Sequence, residues 1–236
     1  MNIAENILKH SLQNVYFLAG TTLAGKTTMA KILVEKHGFT FFSEDWYTDS
    51  FNEFRSICNA KYQPLFAAKK TMTQADREVH YSRSVEEFLA DDEANRGARS
   101  ANDEYVEFAI IELIKMSQHA KVITDVLVPI PLLAEISDYN RIACMIAAPE
   151  LLTCENYGKR ESHKAFLDML LSLDEPEKKI AVQNELFKIG AKKISDEVRG
   201  HNLFGIVRDE NSTIEHTLKI LEKHFMLVDL EVGQTC

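Results

Sequence analysis

Nine consecutive residues near the start of the chain have types and spacing suited to binding phosphate. Gly20, Thr21, Thr22, Leu23, Ala24, Gly25, Lys26, Thr27 and Thr28 fit the pattern G-x-x-x-x-G-K-[ST]. An apolar run, 15–19, precedes them and indicates a buried strand, while 27–37 has the periodicity of a helix. Because a strand before and a helix after are the setting that this motif requires, the sequence predicts a nucleotide-binding loop rather than a chance match.

The chemistry expected of this loop follows from its residue types. Glycine lets the backbone turn tightly, so successive amides can point at phosphate oxygens, and the helix N-terminus adds partial positive charge. In such a loop Lys26 reaches the β- and γ-phosphates, and the Thr27 hydroxyl ligates Mg²⁺. We therefore expect a nucleoside triphosphate and Mg²⁺ to bind here, with Lys26 as a catalytic residue and Thr27 as a metal ligand.

Asp125 is the second expected metal ligand. It closes the run 122–125, Val-Ile-Thr-Asp, within the predicted strand 121–127. This pattern fits a Walker B element, whose carboxylate holds Mg²⁺ directly or through water. Many strands end in aspartate, so the prediction depends on the phosphate-binding motif that precedes it in the chain.

Two carboxylates follow the predicted strand 39–43, and they are candidates for catalysis. In a parallel sheet, ligands bind at the carboxyl ends of the strands, where Glu44 and Asp45 would lie. A hydroxyl that accepts a phosphoryl group needs a carboxylate to orient it and take its proton. Either residue could do this, with the other nearer the metal; the alternative is a solvated turn.

Basic residues suggest two further roles. Arg160 lies in a basic cluster, 157–164, that could form a lid over the triphosphate and stabilise charge on the transferred group, or could simply be a solvated helix face.

Five of the nine arginines lie in one interval, 46–103, and could bind an anionic acceptor. They are Arg55, Arg77, Arg83, Arg96 and Arg99. Surface pairing with acidic neighbours is the alternative, and we favour it for any single arginine; those neighbours are Asp76, Glu78, Glu86, Glu87 and Asp91.

Strands that alternate with helical patterns predict an α/β fold with a parallel sheet. The five predicted strands are 15–19, 39–43, 121–127, 142–147 and 203–207. Beyond helix 27–37, the helical patterns cover 75–89, 104–117, 162–173, 176–190, 192–199 and a last helix that a capping box at 212–215 opens. Pro129 and Pro131 indicate that the chain turns away soon after Asp125.

The length of 236 residues fits one domain with substructures. Two intervals are too long for simple crossovers, so we expect a substrate-binding insert at 46–104 and a lid with helices at 149–202 within a single domain, 1–236.

The whole-chain composition limits the partners. The net charge of −9 argues against a general nucleic-acid binder, and no apolar run approaches the length of a membrane span. The four cysteines have no zinc-site spacing, the eight histidines form no ligand-like group, and the N-terminus has no signal-peptide pattern. We expect a cytoplasmic monomer or homodimer whose partners are ATP and a small-molecule acceptor.

At these residues the chain resembles the P-loop small-molecule kinases, the group with the nucleoside monophosphate kinase-type fold that includes nucleoside, shikimate and gluconate kinases. Residues 20–28 match the family's phosphate loop, and Asp125 and Arg160 fall where the family keeps an acidic residue and lid arginines. The run 44–47, Glu-Asp-Trp-Tyr, is similar to an element of uridine and nicotinamide riboside kinases that usually carries two aspartates, so the identity of the base stays open. The segment 209–212 resembles the family's adenine-side loop. The resemblance implies a three-layer P-loop NTPase fold, a five-stranded parallel sheet in the order 2-3-1-4-5, and ATP–Mg²⁺ as donor.

Three functions are consistent with these residues. The first is a kinase that moves the γ-phosphate of ATP to a hydroxyl of a small metabolite. The second is a nucleoside monophosphate kinase, which needs arginines in the first long interval and has less use for a carboxylate base. The third is a nucleotide-binding regulatory protein with little catalysis; the absence of an N-K-x-D signature argues against a GTPase switch, and that of L-S-G-G-Q against a transporter ATPase.

Overall fold

Parallel strands form the centre of the molecule. The computed structural model of the chain describes residues 7–43, 72–94 and 101–228. Within them the strands are β1 Val15–Gly20, β2 Thr40–Phe42, β3 Val122–Thr124, β4 Ile142–Ala147 and β5 Gly205–Arg208. All pairings are parallel and the order is β2-β3-β1-β4-β5. The predicted strands, their number and their order are confirmed, although β3 already ends at Thr124.

Helices cover the sheet. The α-helices in the described ranges are α1 Lys9–Ser11, α2 Lys26–His37, α3 Gln74–Tyr81, α4 Val85–Ala94, α5 Ala101–Ser117, α6 Ile130–Ile136, α7 Cys154–Gly158, α8 Glu161–Leu171, α9 Pro176–Gly200 and α10 Ile214–His224. Short 3₁₀ turns at Tyr139–Arg141 and Pro149–Leu151 flank β4. None of these helices is long and apolar enough to cross a bilayer.

The two faces of the sheet belong to two separate apolar clusters. Successive side chains of a strand point to opposite faces. Along β1, Val15, Phe17 and Ala19 accordingly join the first core cluster, whereas Tyr16 and Leu18 join the second. Because both faces are covered, all six residues of β1 are buried, which explains its continuous apolar run.

Capping explains where two helix predictions were wrong. The predicted helix 75–89 is two helices, because Ser84 opens α4: its hydroxyl accepts a hydrogen bond from the Glu87 amide, and the Glu87 carboxylate accepts one from the Ser84 amide. The last helix begins one residue later than predicted, because Thr213 caps it while the Ser212 hydroxyl donates to Asp209. Pro131 lies in the first turn of α6, where proline is tolerated, so the chain forms a helix there.

A single helix, α9, replaces the two predicted at 176–190 and 192–199. Gly190 does not end it, since the backbone there stays helical. A Cβ at Gly190 would meet nothing within 4 Å. The helix continues because its second half is packed: Ala191 lies in the second core cluster and Val198 in the first.

The described parts of the two long intervals pack against each other. Cys154, Leu170, Leu173 and Ile180 form a third core cluster, and Tyr81 of α3 packs against it. We call α3, α4 and α7–α9 the helical unit. The predicted insert and lid therefore share a small core where the structure describes them, and the proposed boundaries 46–104 and 149–202 stay a prediction.

Candidate functional site

The 20–28 loop, which runs from the last residue of β1 into the first turn of α2, is attached to the backbone of β4. The Thr21 amide donates a 2.9 Å hydrogen bond to the Met145 carbonyl, and the Thr21 hydroxyl accepts one of 2.7 Å from the Ala147 amide. At Gly20 the backbone has a φ of +115°, and a Cβ there would lie 2.0 Å from the Met145 carbonyl oxygen. Glycine is therefore required at this position both by conformation and by space.

The loop makes a tight turn before α2. Leu23 and Gly25 have φ angles of +62° and +84°, in the left-handed region. Gly25 directly precedes the helix, so the loop leads straight into the first amides of α2. Those amides have no partner within the helix, and the helix dipole makes their surroundings favourable for an anion.

The Lys26 side chain lies against the first two residues of this loop. Its Nζ donates a 2.7 Å hydrogen bond to the Thr21 carbonyl and a 3.4 Å one to the Gly20 carbonyl. The side chain thus folds back over its own loop and is half-buried. A cation, a tight glycine turn and a helix N-terminus are combined here, and each favours a phosphate group.

Thr27 and Asp125, which follow the adjacent strands β1 and β3, are in contact. The Thr27 hydroxyl donates a hydrogen bond to Asp125 Oδ2. β3 pairs directly with β1, so the residue after β3 lies next to the start of α2. Asp125 is buried, with 5% of its surface exposed. Two oxygen ligands of this kind, a hydroxyl and a carboxylate, suit a hard cation such as Mg²⁺.

Arg208, which belongs to none of the sequence motifs, also contacts the loop. It is the last residue of β5, and its Nη1 donates a 3.1 Å hydrogen bond to the Ala24 carbonyl while Nη2 donates to the Ser212 carbonyl at 3.3 Å. Its Nε is buried and has no hydrogen-bond partner among the described residues. A Cβ at Gly25 would lie 2.1 Å from Nη1, so this glycine also makes room for the guanidinium. The available signal was a basic residue at the carboxyl end of a parallel strand.

Among the other predicted site residues, only those in the described ranges can be located relative to the loop. Glu44 and Asp45 lie outside the described residues. Arg160 directly precedes α8, and in the described part of the chain no hydrogen bond or ion pair connects it with residues 20–28. Arg83 forms an ion pair with Asp91 and stacks on the ring of Phe88 at 4.0 Å. Its contacts are those expected for a structural arginine.

Thiol and metal-cluster chemistry have little support here. Cys144 and Cys154 are buried, and burial raises the pKa of each thiol to about 12, with the Glu155 charge adding to the effect at Cys154. Both thiols therefore stay protonated at neutral pH. Within 7–43, 72–94 and 101–228, no group of three or more His, Cys, Asp or Glu could hold a metal ion. A cation at Thr27 and Asp125 would depend on phosphate oxygens or water for its remaining ligands.

Comparison with models of protein families gives no match to this chain, and no curated protein matches it.

Proposed function

We propose that the chain is a kinase of the P-loop small-molecule class, which transfers the γ-phosphate of ATP to a hydroxyl of a small metabolite. The observation that carries the proposal is the contact of Thr27 with Asp125 beside Lys26, at the carboxyl edge of a parallel sheet. A glycine turn alone would suit many anions. The added pair of oxygen ligands favours a phosphate that arrives with a divalent cation.

The loop supplies the groups that the donor needs. The amides at the start of α2 and the Lys26 ammonium would neutralise the β- and γ-phosphates. Thr27 and Asp125 would hold Mg²⁺, which lowers the charge repulsion against the attacking oxygen. Arg208 is held at Ala24 and adds a second positive charge next to the loop.

The carboxylates proposed to activate the acceptor hydroxyl lie outside the described ranges. A hydroxyl acceptor needs a base, and Glu44 or Asp45 remains the predicted one. Arg160 remains a proposed lid residue that would act only in a closed state.

The contacts of one candidate arginine count against a nucleoside monophosphate kinase. That reaction needs free arginines to bind the acceptor phosphate, and the guanidinium of Arg83 is already paired with Asp91 and stacked on Phe88. A regulatory nucleotide-binding protein would need no acceptor. A rate of ATP consumption that rises only when one metabolite of a panel is added would exclude it.

Lys26→Ala tests the donor site. We expect the metabolite-dependent rate of ATP consumption to fall by about 100-fold or more, because a charge that stabilises the transferred group is lost. Lys31→Ala is the matched control, since Lys31 lies on the same helix and is exposed; its rate should equal that of the wild type. An unchanged rate in Lys26→Ala, with the fold intact by circular dichroism, would contradict the proposal.

A further inference from the structure

Arg208 contacts two separate turns at the carboxyl edge of the sheet. Its Nη1 donates to the Ala24 carbonyl at 3.1 Å, within the 20–28 loop, and its Nη2 donates to the Ser212 carbonyl at 3.3 Å, after the end of β5. We call residues 209–212 the β5 turn. The guanidinium of Arg208 therefore links the 20–28 loop to the β5 turn.

The β5 turn is a firm anchor, because its own side chains tie it together. The Asp209 carboxylate accepts hydrogen bonds from the Ser212 hydroxyl at 2.8 Å and from the Asn211 amide at 3.0 Å. The Ser212 hydroxyl in turn accepts one from the Asp209 amide at 3.0 Å. A link to this turn can therefore restrain the 20–28 loop.

The 20–28 loop is held from two adjacent strands. Near its start, the Thr21 hydroxyl accepts a hydrogen bond from the Ala147 amide of β4. β5 pairs with β4 in a register that places Arg208 beside Ala147. Further along the loop, Ala24 is held by the Arg208 side chain. Removing that side chain would take away the attachment to β5 and leave the attachment to β4.

The carbonyl that Arg208 binds lies in a strained part of the loop. Ala24 is fully buried and stands between Leu23 and Gly25, which both have left-handed φ angles. A non-glycine residue such as Leu23 keeps that conformation only where surrounding contacts impose it. The hydrogen bond from Arg208 is such a contact, and it stabilises a backbone conformation that leucine itself disfavours.

The planarity of the peptide bond transmits this restraint to the next amide. The Ala24 carbonyl and the Gly25 N–H belong to one trans peptide unit, in which the C=O and N–H bonds point in opposite directions. Because the Ala24 carbonyl accepts from Arg208, the Gly25 N–H points away from the guanidinium. Amides in glycine turns of this kind are the groups that bind phosphate oxygens. Arg208 thus sets the direction of one such amide.

The guanidinium keeps its position at a cost. Its Nε is buried and has no hydrogen-bond partner in the described part of the chain, which is unfavourable for a charged group. Its Nη1 also needs the space that glycine leaves at position 25. A smaller side chain at position 208 would avoid both constraints, so packing alone does not account for an arginine here.

From these contacts we infer that Arg208 is a positioning residue for the 20–28 loop. It holds the Ala24–Gly25 peptide unit in one orientation, and this orientation raises the affinity of the loop for a chain of phosphates. The first half of the inference concerns the conformation of the loop and is independent of the proposed function. The second half rests on the proposed function, because it concerns phosphate binding.

Amide hydrogen exchange of the ligand-free full chain tests the first half. Arg208→Ala should speed exchange in the segments 20–28 and 209–213, with little change in β3 and in the first half of β4. Arg199→Ala is the matched control, because the Arg199 side chain is 73% exposed and pairs with Asp196 at the surface. Its exchange in 20–28 should equal that of the wild type. Wild-type exchange of 20–28 in Arg208→Ala overturns the inference.

Titration calorimetry with Mg²⁺ and two probes tests the second half, at a temperature where circular dichroism shows each variant to be folded. Inorganic tripolyphosphate carries the phosphates alone, whereas a non-hydrolysable ATP analogue adds the ribose and the base. Arg208→Ala should weaken both about tenfold and by the same factor, because both use the same loop. A loss confined to the ATP analogue would mean that Arg208 contacts the nucleoside, and wild-type affinity for both probes would make its role purely structural. Either result overturns the inference.

Arg208→Lys separates position from charge. Lysine keeps the positive charge, but a single ammonium does not reproduce the planar fork that reaches two carbonyls. We expect the lysine variant to resemble Arg208→Ala in both exchange and affinity. Wild-type affinity in Arg208→Lys would show that charge alone suffices, and would overturn the inference.

The two measurements also separate this inference from the proposed kinase activity. If the wild type binds neither probe, the proposed function fails together with the second half, while the exchange data still decide the first half. If the wild type binds both probes and Arg208→Ala binds them equally well, the proposed function stands and the role of Arg208 is wrong.

Discussion

Apart from the contact of Thr27 with Asp125, each hydrogen bond that holds the 20–28 loop within the described ranges has a main-chain atom as at least one partner, whereas α3 and α9 of the helical unit are joined by an ion pair between two side chains. In the loop, the Met145 carbonyl accepts from the Thr21 amide, and Gly20 lets the two backbones approach closely. In the helical unit, Lys179 of α9 donates to the Glu78 carboxylate of α3 at 2.9 Å and also to the Asp174 carbonyl. Lys179 is buried and the Glu78 side chain is 25% exposed, so this ion pair is partly sheltered from water.

The difference indicates how each region depends on its sequence. A hydrogen bond to a main-chain atom does not depend on the residue type of that partner. It requires glycine where two backbones approach closely and the correct strand order, so a short motif can encode it. The pair of Lys179 with Glu78 joins residues 101 positions apart, and its two members are effective only together. We expect the loop to fail through changes of backbone conformation, and the helical unit to fail through loss of a single charge.

Gly20→Ala should have the largest effect. The new Cβ would overlap the Met145 carbonyl oxygen, and the φ of +115° is strained for alanine. We expect the free energy of unfolding to fall by about 3 kcal/mol or more. Denaturant unfolding followed by circular dichroism measures this.

Gly190→Ala is the matched control in the helical unit. Gly190 lies inside α9 and a Cβ there would meet nothing within 4 Å, so alanine should raise stability by about 0.5–1 kcal/mol. Equal destabilisation by the two changes would contradict the view that the backbone of the loop is the more constrained.

Lys179→Met should have the next largest effect, and it should be confined to the helical unit. The change keeps the apolar stem but leaves the Glu78 carboxylate and the Asp174 carbonyl without this donor. We expect faster amide hydrogen exchange in α3 and in the start of α9, with little change in β1 and β4. Lys178→Met is the control, because Lys178 is 74% exposed and its contact with Glu175 is long, at 3.7 Å. Loss of protection across the sheet would show that the two regions are not separable.

Most of the sheet could be predicted from the sequence, for a physical reason. β1 and β4 are buried on both faces, so each is a continuous apolar run that can be recognised from the sequence alone. Helix ends were less predictable where two capping residues were adjacent, as at Ser212 and Thr213. Gly190 was misread because a glycine can end a helix or simply lie within it, and the packing of Ala191 decides which.

Only the site residues that belong to a short sequence pattern could be predicted. The motif around Lys26 and the strand-end Asp125 could be recognised without knowing the fold, and the structure brings Asp125 to Thr27. Arg208 could not be assigned, because its role depends on where β5 ends and on its contact with Ala24, 184 positions away.

The helix that begins at the 20–28 loop also has a side-chain anchor, at its far end. Glu222 of α10 is buried and accepts hydrogen bonds from His37 and Lys36, each at 2.7 Å. Burial by itself raises the pKa of the Glu222 carboxyl, but the hydrogen bonds from Lys36 and His37 outweigh it, so the pKa lies below its ordinary value. The 20–28 loop therefore differs most from the helical unit in the kind of contacts that hold it. The far end of α2, like the helical unit, is held by charged side chains.

Glu222→Gln should have the smallest effect and should depend on pH. Since the folded-state pKa is lowered, the charged carboxylate stabilises the fold above its ordinary pKa of 4.5, and this stabilisation is lost as the pH falls through the lowered value. We expect the variant to lose about 1 kcal/mol near neutral pH and to converge on the wild type in acid, as charge-assisted hydrogen bonds become neutral in both. Denaturant unfolding at pH values from about 7 down to about 3 measures the difference. Glu215→Gln, on the exposed face of the same helix, should give a curve close to that of the wild type because solvent screens its pair with Lys219. If the gap between Glu222→Gln and the wild type instead widened in acid, this cluster would stabilise the fold through neutral packing, and α2 would depend on main-chain contacts along its whole length.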